Sequence, residues 1–117
     1  MNEYLLPLAV VSAFFAWRLA HGIRLRRVIP RLLTAGATVI DVRTPGEFAG
    51  GHAHGSINVP LGDLAGAEIP ADRGRWIIVC CASGTRSGIA KGILRRRGFA
   101  NVINGGTWLN IARSRND

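Results

Sequence analysis

The apolar run WIIVCC, from Trp76 to Cys81, limits the fold of this chain more than any other segment. Its residues are apolar at successive positions, and a strand of that composition has to be buried on both faces. A second, β-branched run, TVIDV, extends from Thr38 to Val42 between Gly36 and a Thr-Pro-Gly turn. Strands buried on both faces are typical of a parallel sheet covered by helices, so we expect an α/β domain.

Helical patterns alternate with these strands. PGEFAGG follows the first strand, LGDLAG lies near residue 64, and SGIAKGILRRR extends from Ser87 to Arg97, where Gly98 closes it. A further short strand, NVIN, is predicted from Asn101 to Asn104. The alternation of strand and helix in 117 residues predicts one domain with a mostly parallel sheet.

The N-terminal segment is apolar. YLLPLAVVSAFFAW, from Tyr4 to Trp17, holds 14 residues without a charge. A helix of that length covers about 21 Å of a hydrocarbon core that is about 30 Å thick. Extended to Ile23, with Arg18 reaching toward the lipid headgroups, the helix would cover about 30 Å. The segment therefore predicts a single-pass membrane helix.

Charges on either side of this segment predict its topology. Glu3 precedes the apolar run, whereas five arginines follow it. A cleavable signal peptide would carry its basic residues ahead of the run, so this pattern does not fit one. Because basic residues stay on the cytoplasmic side, we expect the N-terminus outside and the remaining domain in the cytoplasm. A helix lying in the membrane interface and a helix docked against a partner are the alternatives. The five arginines are Arg18, Arg24, Arg26, Arg27 and Arg31.

The distribution of charge also bears on partners. The formal net charge is +8, and residues 1–31, with five arginines against one glutamate, hold half of that excess. Membrane lipid explains these arginines, and no aromatic and basic surface accompanies them, so nucleic-acid binding is not expected.

We divide the chain into a hydrophobic helix with a basic tail, residues 1–27, and a domain over residues 28–117. In that domain Pro30 suits the start of a short helix that Gly36 ends in a left-handed cap.

The segment CCASGTRSG, Cys80 to Gly88, lies where a strand ends and a helix begins, which is where open α/β sheets bind ligands. Gly84 lets the loop curl so that its amides converge on the Cys81 sulfur, and the positive end of the helix dipole favours an anion there. Arg86 adds a full charge. All these effects stabilise a thiolate, so the pattern predicts Cys81 as a nucleophile. The loop residues assigned to binding are Ala82, Ser83, Gly84, Thr85, Arg86 and Ser87.

Two adjacent cysteines build neither a disulfide framework nor a zinc site, and they indicate a reducing compartment. On a strand they point to opposite faces, so we interpret Cys80 as a core residue. His52 and His54 look like metal ligands, but no third or fourth ligand of suitable type lies nearby in the sequence. We therefore expect no metal and no cofactor.

These segments resemble the rhodanese family of single-domain sulfurtransferases. The resemblance is carried by IDVRTPGEFAGGHAHGSINVPL at Ile40–Leu61, VCCASGTRSGIA at Val79–Ala90 and GFANVINGG at Gly98–Gly106. It implies an α/β, three-layer domain with a central mostly parallel sheet flanked by helices, here preceded by the hydrophobic helix. It also implies a catalytic cysteine at Cys81, and His52 matches a histidine that is structural in the family.

The resemblance implies the activity as well. Sulfane sulfur would pass from a donor such as thiosulfate or a persulfide, small or protein-borne, to a thiol or cyanide acceptor through a Cys81 persulfide. Two features depart from the family's pattern: Trp108 comes only two residues after Gly106, and the C-terminal helix is short. These departures bear on the donor more than on the sulfur chemistry.

Three residues after the first strand are expected to support the site. Asp41 and Arg43 emerge where that strand ends, and Glu47, four residues beyond Arg43, is expected to hold it by an ion pair. Their predicted role is to fix the loop after the strand.

Two alternative functions are compatible with parts of this pattern. Phosphatases and arsenate reductases with this kind of loop have the pattern Cys-x5-Arg, whereas Cys81 and Arg86 form Cys-x4-Arg. The shorter loop encloses a smaller ring, which suits a single sulfur atom. The other alternative is a membrane-tethered rhodanese-like module that binds a partner or senses oxidants through Cys81.

Overall fold

The computed structural model describes residues 3–115. In chain order the elements within this range are α1 (Leu5–Thr34), β1 (Thr38–Asp41), α2 (Pro45–Ala49), β2 (Ile57–Asn58), a 3-10 turn (Leu61–Asp63), β3 (Ile77–Cys81), α3 (Thr85–Arg96), β4 (Val102–Thr107) and α4 (Trp108–Ser114).

The four strands pair in the order β2-β1-β3-β4, and every pairing is parallel. Ile40 lies opposite Val79 and Asp41 opposite Cys80, so the carboxyl ends of β1 and β3 meet at one edge. The predicted parallel sheet flanked by helices is confirmed. The two-residue strand β2 was not predicted, because it is too short to show a pattern.

Two apolar layers cover the faces of the sheet. Val79 and Cys81 of β3 face one layer, which includes Leu94 of α3. Ile78 and Cys80 face the other layer, which is formed by α1 and α4. The two adjacent cysteines therefore point to opposite faces, as a strand requires.

The helix α1 corrects one prediction. The sequence predicted a separate short helix from Pro30, but Pro30 lies inside one continuous helix. Proline removes one helical hydrogen bond, and burial of Ile29 against the sheet offsets that loss. The predicted stop is confirmed, because Gly36 adopts φ +88° and its N–H donates to the Leu33 carbonyl at 3.1 Å.

The first part of α1 extends away from the domain. Residues 3–21 are exposed, and the molecule measures 56 Å along its longest axis against 31 and 30 Å across. Within residues 3–115, α1 is the one helix long and apolar enough to cross a membrane. The predicted boundary between residues 27 and 28 falls inside this helix.

Candidate active site

The loop between β3 and α3 is built around Gly84. This residue is the N-cap of α3 and has φ +106°, a conformation that favours glycine. A Cβ atom added here would lie 3.3 Å from the Cα of Gly106. Glycine therefore allows both the curl of the loop and its close approach to the end of β4.

The curl brings hydrogen-bond donors to the sulfur of Cys81. The Gly84 N–H donates to Sγ at 2.9 Å, and the Ser87 hydroxyl lies 3.3 Å from Sγ. Burial opposes ionisation of the thiol, but the Ser87 hydroxyl and the amides of Ser87, Gly84 and Ser83 outweigh it and lower the pKa of Cys81. The site thus stabilises a thiolate at the start of a helix.

Cys80 has the opposite environment. It is fully buried on the other face of the sheet. Burial, together with the nearby charge of Asp41, raises the pKa of Cys80 well above its ordinary value. Of the two cysteines, Cys80 is therefore held as an unreactive thiol.

Asn104 on β4 supports the loop, and sequence reasoning did not identify it. Its Nδ2 donates to the Gly84 carbonyl at 3.0 Å, while its Oδ1 accepts from the Ser87 hydroxyl at 2.7 Å and from the Gly106 N–H at 2.9 Å. One side chain thus fixes the loop, the first turn of α3 and the end of β4. A polar residue at the carboxyl end of the predicted strand NVIN was the signal that could have revealed it.

The Ser87 hydroxyl is shared between two partners. While Cys81 is a thiol, Ser87 donates its hydrogen to Asn104, and the thiol can donate to the Ser87 oxygen. When Cys81 ionises, rotation of the hydroxyl turns that hydrogen toward Sγ. Ser87 is therefore a donor that responds to the protonation state of the nucleophile.

Arg86 does not lie free over the loop. Its Nη1 and Nη2 donate to Oε1 and Oε2 of Glu47 at 2.7 and 2.9 Å. This corrects the prediction that Glu47 pairs with Arg43. Glu47 also closes a capping box with Thr44 at the start of α2, so one carboxylate joins the N-termini of α2 and α3.

Arg43 pairs with Asp41 instead. Both side chains are buried, and Nη2 of Arg43 lies 2.8 Å from Oδ2 of Asp41. Arg43 also donates to the Gly51 carbonyl at 2.7 Å and lies 4.9 Å from the ring of Trp108. This network fixes the loop after α2. Arg43 thus supports the site without contacting the Cys81 sulfur.

The remaining predicted residues lie at the periphery. Ala82, Ser83 and Thr85 are exposed. His52 stacks on Phe48 with ring centroids 3.7 Å apart and bonds the Phe48 carbonyl through Nδ1 at 2.8 Å. In the part of the chain that the structure describes, no group of His, Cys, Asp and Glu is arranged to hold a metal ion.

Comparisons with known proteins agree with the family resemblance seen in the sequence. A profile of the family described as "Rhodanese-like domain" matches residues 28–107. The uncharacterized protein YqhL of Bacillus subtilis (strain 168) is 31% identical over 107 residues, which cover 86% of this chain and 85% of that protein. The thiosulfate sulfurtransferase PspE of Escherichia coli (strain K12) is 37% identical over 75 residues, which cover 62% of this chain and 72% of that protein.

A solved structure agrees with this match. The structure described as a rhodanese with anions from E. coli has a TM-score of 0.61 and 35% sequence identity to this chain. The similarity covers 66% of this chain and 93% of the other.

Proposed function

The chain belongs to the rhodanese family, and from this we propose that it is a sulfurtransferase in which Cys81 carries sulfane sulfur as a persulfide. The resemblance seen in the sequence is confirmed by the family match. Relatives whose names describe sulfurtransferases support a sulfur-transfer activity in general terms. The catalytic residue, the donor and the acceptor are parts of the proposal.

One observation carries the proposal most directly. The Gly84 amide lies 2.9 Å from Sγ of Cys81, and the Ser87 hydroxyl completes a shell of donors that lowers the pKa of the thiol. A thiolate is the nucleophile of sulfur exchange. The shell also suits the anionic sulfur of the persulfide product.

The reaction proceeds in two steps. The Cys81 thiolate attacks the outer sulfur of the donor, a new S–S bond forms at Sγ, and the donor's own S–S bond breaks. With thiosulfate the electron pair leaves on sulfite, and with a thiol persulfide it leaves on the thiolate. A thiol or cyanide then attacks the terminal sulfur, and Cys81 leaves as the thiolate. The intermediate is covalent, so ping-pong kinetics follow.

The loop also bears on the phosphatase alternative. Both terminal nitrogens of Arg86 donate to Glu47, at 2.7 and 2.9 Å, so an anion in the loop would have to compete with that carboxylate for them. A phosphatase would need those donors for a tetrahedral phosphate. Together with the Cys-x4-Arg spacing, this favours sulfur transfer over phosphoryl or arsenate chemistry.

Mass spectrometry tests the proposed activity. After incubation with thiosulfate and removal of the excess, the intact protein should gain one sulfur atom, and cyanide should remove it. A second incubation with hydrogen peroxide and no sulfur donor separates the redox-sensing alternative. A sensor would add oxygen rapidly and take up no sulfur.

The apolar half of α1 supports a second part of the proposal, a membrane anchor. Residues 5–21 are exposed and cover about 25 Å at the rise of an α-helix, close to the hydrocarbon thickness of about 30 Å. By the positive-inside rule, the arginines from Arg18 onward support a cytoplasmic location for the domain. In this arrangement the active-site loop lies beside the lipid headgroups.

A further inference from the structure

A cavity of about 340 Å³ lies between α1 and α4. This volume is within the range of ligand sites, about 300–1,000 Å³. None of the lining residues belongs to the active-site loop or to the proposed membrane segment, residues 5–21, so the cavity is separate from both. The lining consists of Arg26, Ile29 and Pro30 of α1 and of Asn110, Arg113 and Ser114 of α4.

Two arginines from different helices give the cavity its charge. Arg26 comes from α1 and Arg113 from α4, and no aspartate or glutamate is among the lining residues. Both residues are exposed, and neither guanidinium forms an ion pair within residues 3–115. An anion between the two helices would replace the repulsion of two like charges by two attractions.

The α4 wall of the cavity adds polar groups that are already held in place. The Nδ2 of Asn110 donates to the Gly105 carbonyl at 2.8 Å, which uses one of the two hydrogens on that nitrogen. The Ser114 hydroxyl donates to the Asn110 carbonyl at 2.9 Å. The Asn110 amide is thus fixed to β4 and keeps one N–H for a further acceptor.

The α1 wall of the cavity is apolar. It is formed by Pro30 and by Ile29, which is buried. Ile29 belongs to the same apolar layer as Ile111 and Ala112 of α4, so the two helices that line the cavity share a packed base. Two cations beside an apolar wall suit a ligand that has both an anionic group and a carbon skeleton.

The position of the cavity along α1 indicates the source of such a ligand. Arg26 comes five residues after the end of the proposed membrane segment, about 7.5 Å along the helix axis. The headgroup layer occupies about 5–8 Å on each side of the hydrocarbon core. Arg26 therefore lies at the depth of lipid phosphates, and α4 faces the same layer across the cavity.

We infer that this cavity binds the headgroup of an anionic phospholipid, with its phosphodiester between Arg26 and Arg113. The inference rests on the proposed membrane anchor and goes beyond it, because it assigns a lipid site to α4 of the domain. Arginine donates paired hydrogen bonds to phosphate oxygens, and the free N–H of Asn110 supplies a further donor. The glycerol backbone of the lipid would lie against Ile29 and Pro30. The bound lipid would tie α4 to α1 and hold the domain in one orientation on the membrane.

Native mass spectrometry of the full-length protein in a neutral detergent tests the inference. Phosphatidylglycerol is the probe, and phosphatidylcholine, which has the same phosphodiester but no net charge, is the comparison. Wild type should retain one molecule of phosphatidylglycerol and bind phosphatidylcholine at least about tenfold more weakly.

The double variant Arg26→Gln/Arg113→Gln should raise the Kd for phosphatidylglycerol by about tenfold. The control is Arg27→Gln/Arg96→Gln, which removes one arginine from α1 and one from α3, both outside the cavity. Its Kd should stay within about twofold of wild type. Both variants should take up sulfur from thiosulfate like wild type, which shows that they are folded.

Three results would overturn the inference. An equal loss of binding in the control would mean a general effect of charge, and equal retention of phosphatidylcholine would mean that the cavity does not select an anion. Displacement of the lipid by inorganic phosphate at a similar concentration would make the cavity a site for free anions. Failure of the anchor or of the proposed function would look different, because carbonate would release the protein or wild type would take up no sulfur. Lipid retention in detergent is measured independently of both.

Discussion

Arg86 and Glu47, 39 residues apart in the chain, form a two-pronged ion pair with N–O distances of 2.7 and 2.9 Å. The pair joins the first turn of the helix after the nucleophile to the first turn of α2. The guanidinium lowers the pKa of Glu47 to about 2 from its ordinary value of 4.5. The active-site loop is therefore braced by a group that titrates only in strong acid.

The first prediction concerns acid stability. Glu47→Gln keeps a residue that can close the capping box with Thr44 but removes the charge that holds Arg86. The lowered pKa means that the ion pair contributes above about pH 4.5 and loses that contribution as the pH falls toward about 2. The urea midpoint of wild type should exceed that of Glu47→Gln near neutral pH, and the difference should shrink toward about pH 2. The difference is expected to be small, because both side chains are about one third exposed, at 34% and 36%. A constant difference at all pH values would contradict the assignment.

The second prediction concerns the Ser87 hydroxyl. Among the groups that lower the pKa of Cys81, this hydroxyl contributes most, so Ser87→Ala should shift the pH profile of Cys81 alkylation to higher pH. Ser83→Ala is the matched control, because it keeps the backbone amide that Ser83 contributes. Alkylation by iodoacetamide across a pH series measures both. Superimposable profiles for Ser87→Ala and wild type would show that the loop amides alone stabilise the thiolate.

The third prediction concerns Asn104. Replacement by alanine removes the three hydrogen bonds that this side chain makes to the loop, α3 and Gly106, and should destabilise the protein by about 1–3 kcal/mol. It should also lower kcat and shift the Cys81 alkylation profile, which a purely structural residue would not do. Asn101→Ala is the control, since Asn101 bonds the Gly74 carbonyl at 2.8 Å outside the active-site loop. Equal losses of stability in both variants, with neither shifting the profile, would make Asn104 a structural residue only.

The fourth prediction concerns the membrane. Carbonate washing should leave the protein in the membrane fraction. In a Cys81→Ser background, a cysteine placed by Arg113→Cys should resist an impermeant maleimide in intact cells and react after lysis. Glu3→Cys, on the other side, should react in intact cells. Release by carbonate, or the reverse labelling pattern, would contradict the topology.

The sequence predicted β1, β3, β4 and the loop after β3 because those depend on local pattern. WIIVCC has no polar residue to place on a solvent-facing side, and Gly84 is the residue that the curl requires. The roles assigned to the loop residues stay predictions.

The pairing of charges was wrong because it depends on geometry that the sequence does not show. Spacing of four residues pairs side chains only within a helix, and Arg43 lies ahead of Thr44, the extended N-cap of α2. Two positions apart on an extended segment, Asp41 and Arg43 lie on the same side, so they pair with each other. Glu47 then meets Arg86, a contact that only the assembled sheet creates.

The continuity of α1 could not be read from local signals either. Pro30 is a common first helical residue, and the burial of Ile29 that keeps the helix whole is a tertiary effect. Asn104 was missed for a similar reason, since Gly84 and Ser87, two of its three partners, lie 20 and 17 residues away in the chain.

The measurement that tests the account most directly is intact-protein mass spectrometry after incubation with thiosulfate, on wild type, Cys80→Ala and Cys81→Ala. Wild type and Cys80→Ala should each gain one sulfur atom that cyanide removes, because Cys80 is buried on the opposite face and its pKa is raised. Cys81→Ala should gain none. Uptake of sulfur by Cys81→Ala, together with its loss in Cys80→Ala, would contradict the assignment of Cys81 as the nucleophile.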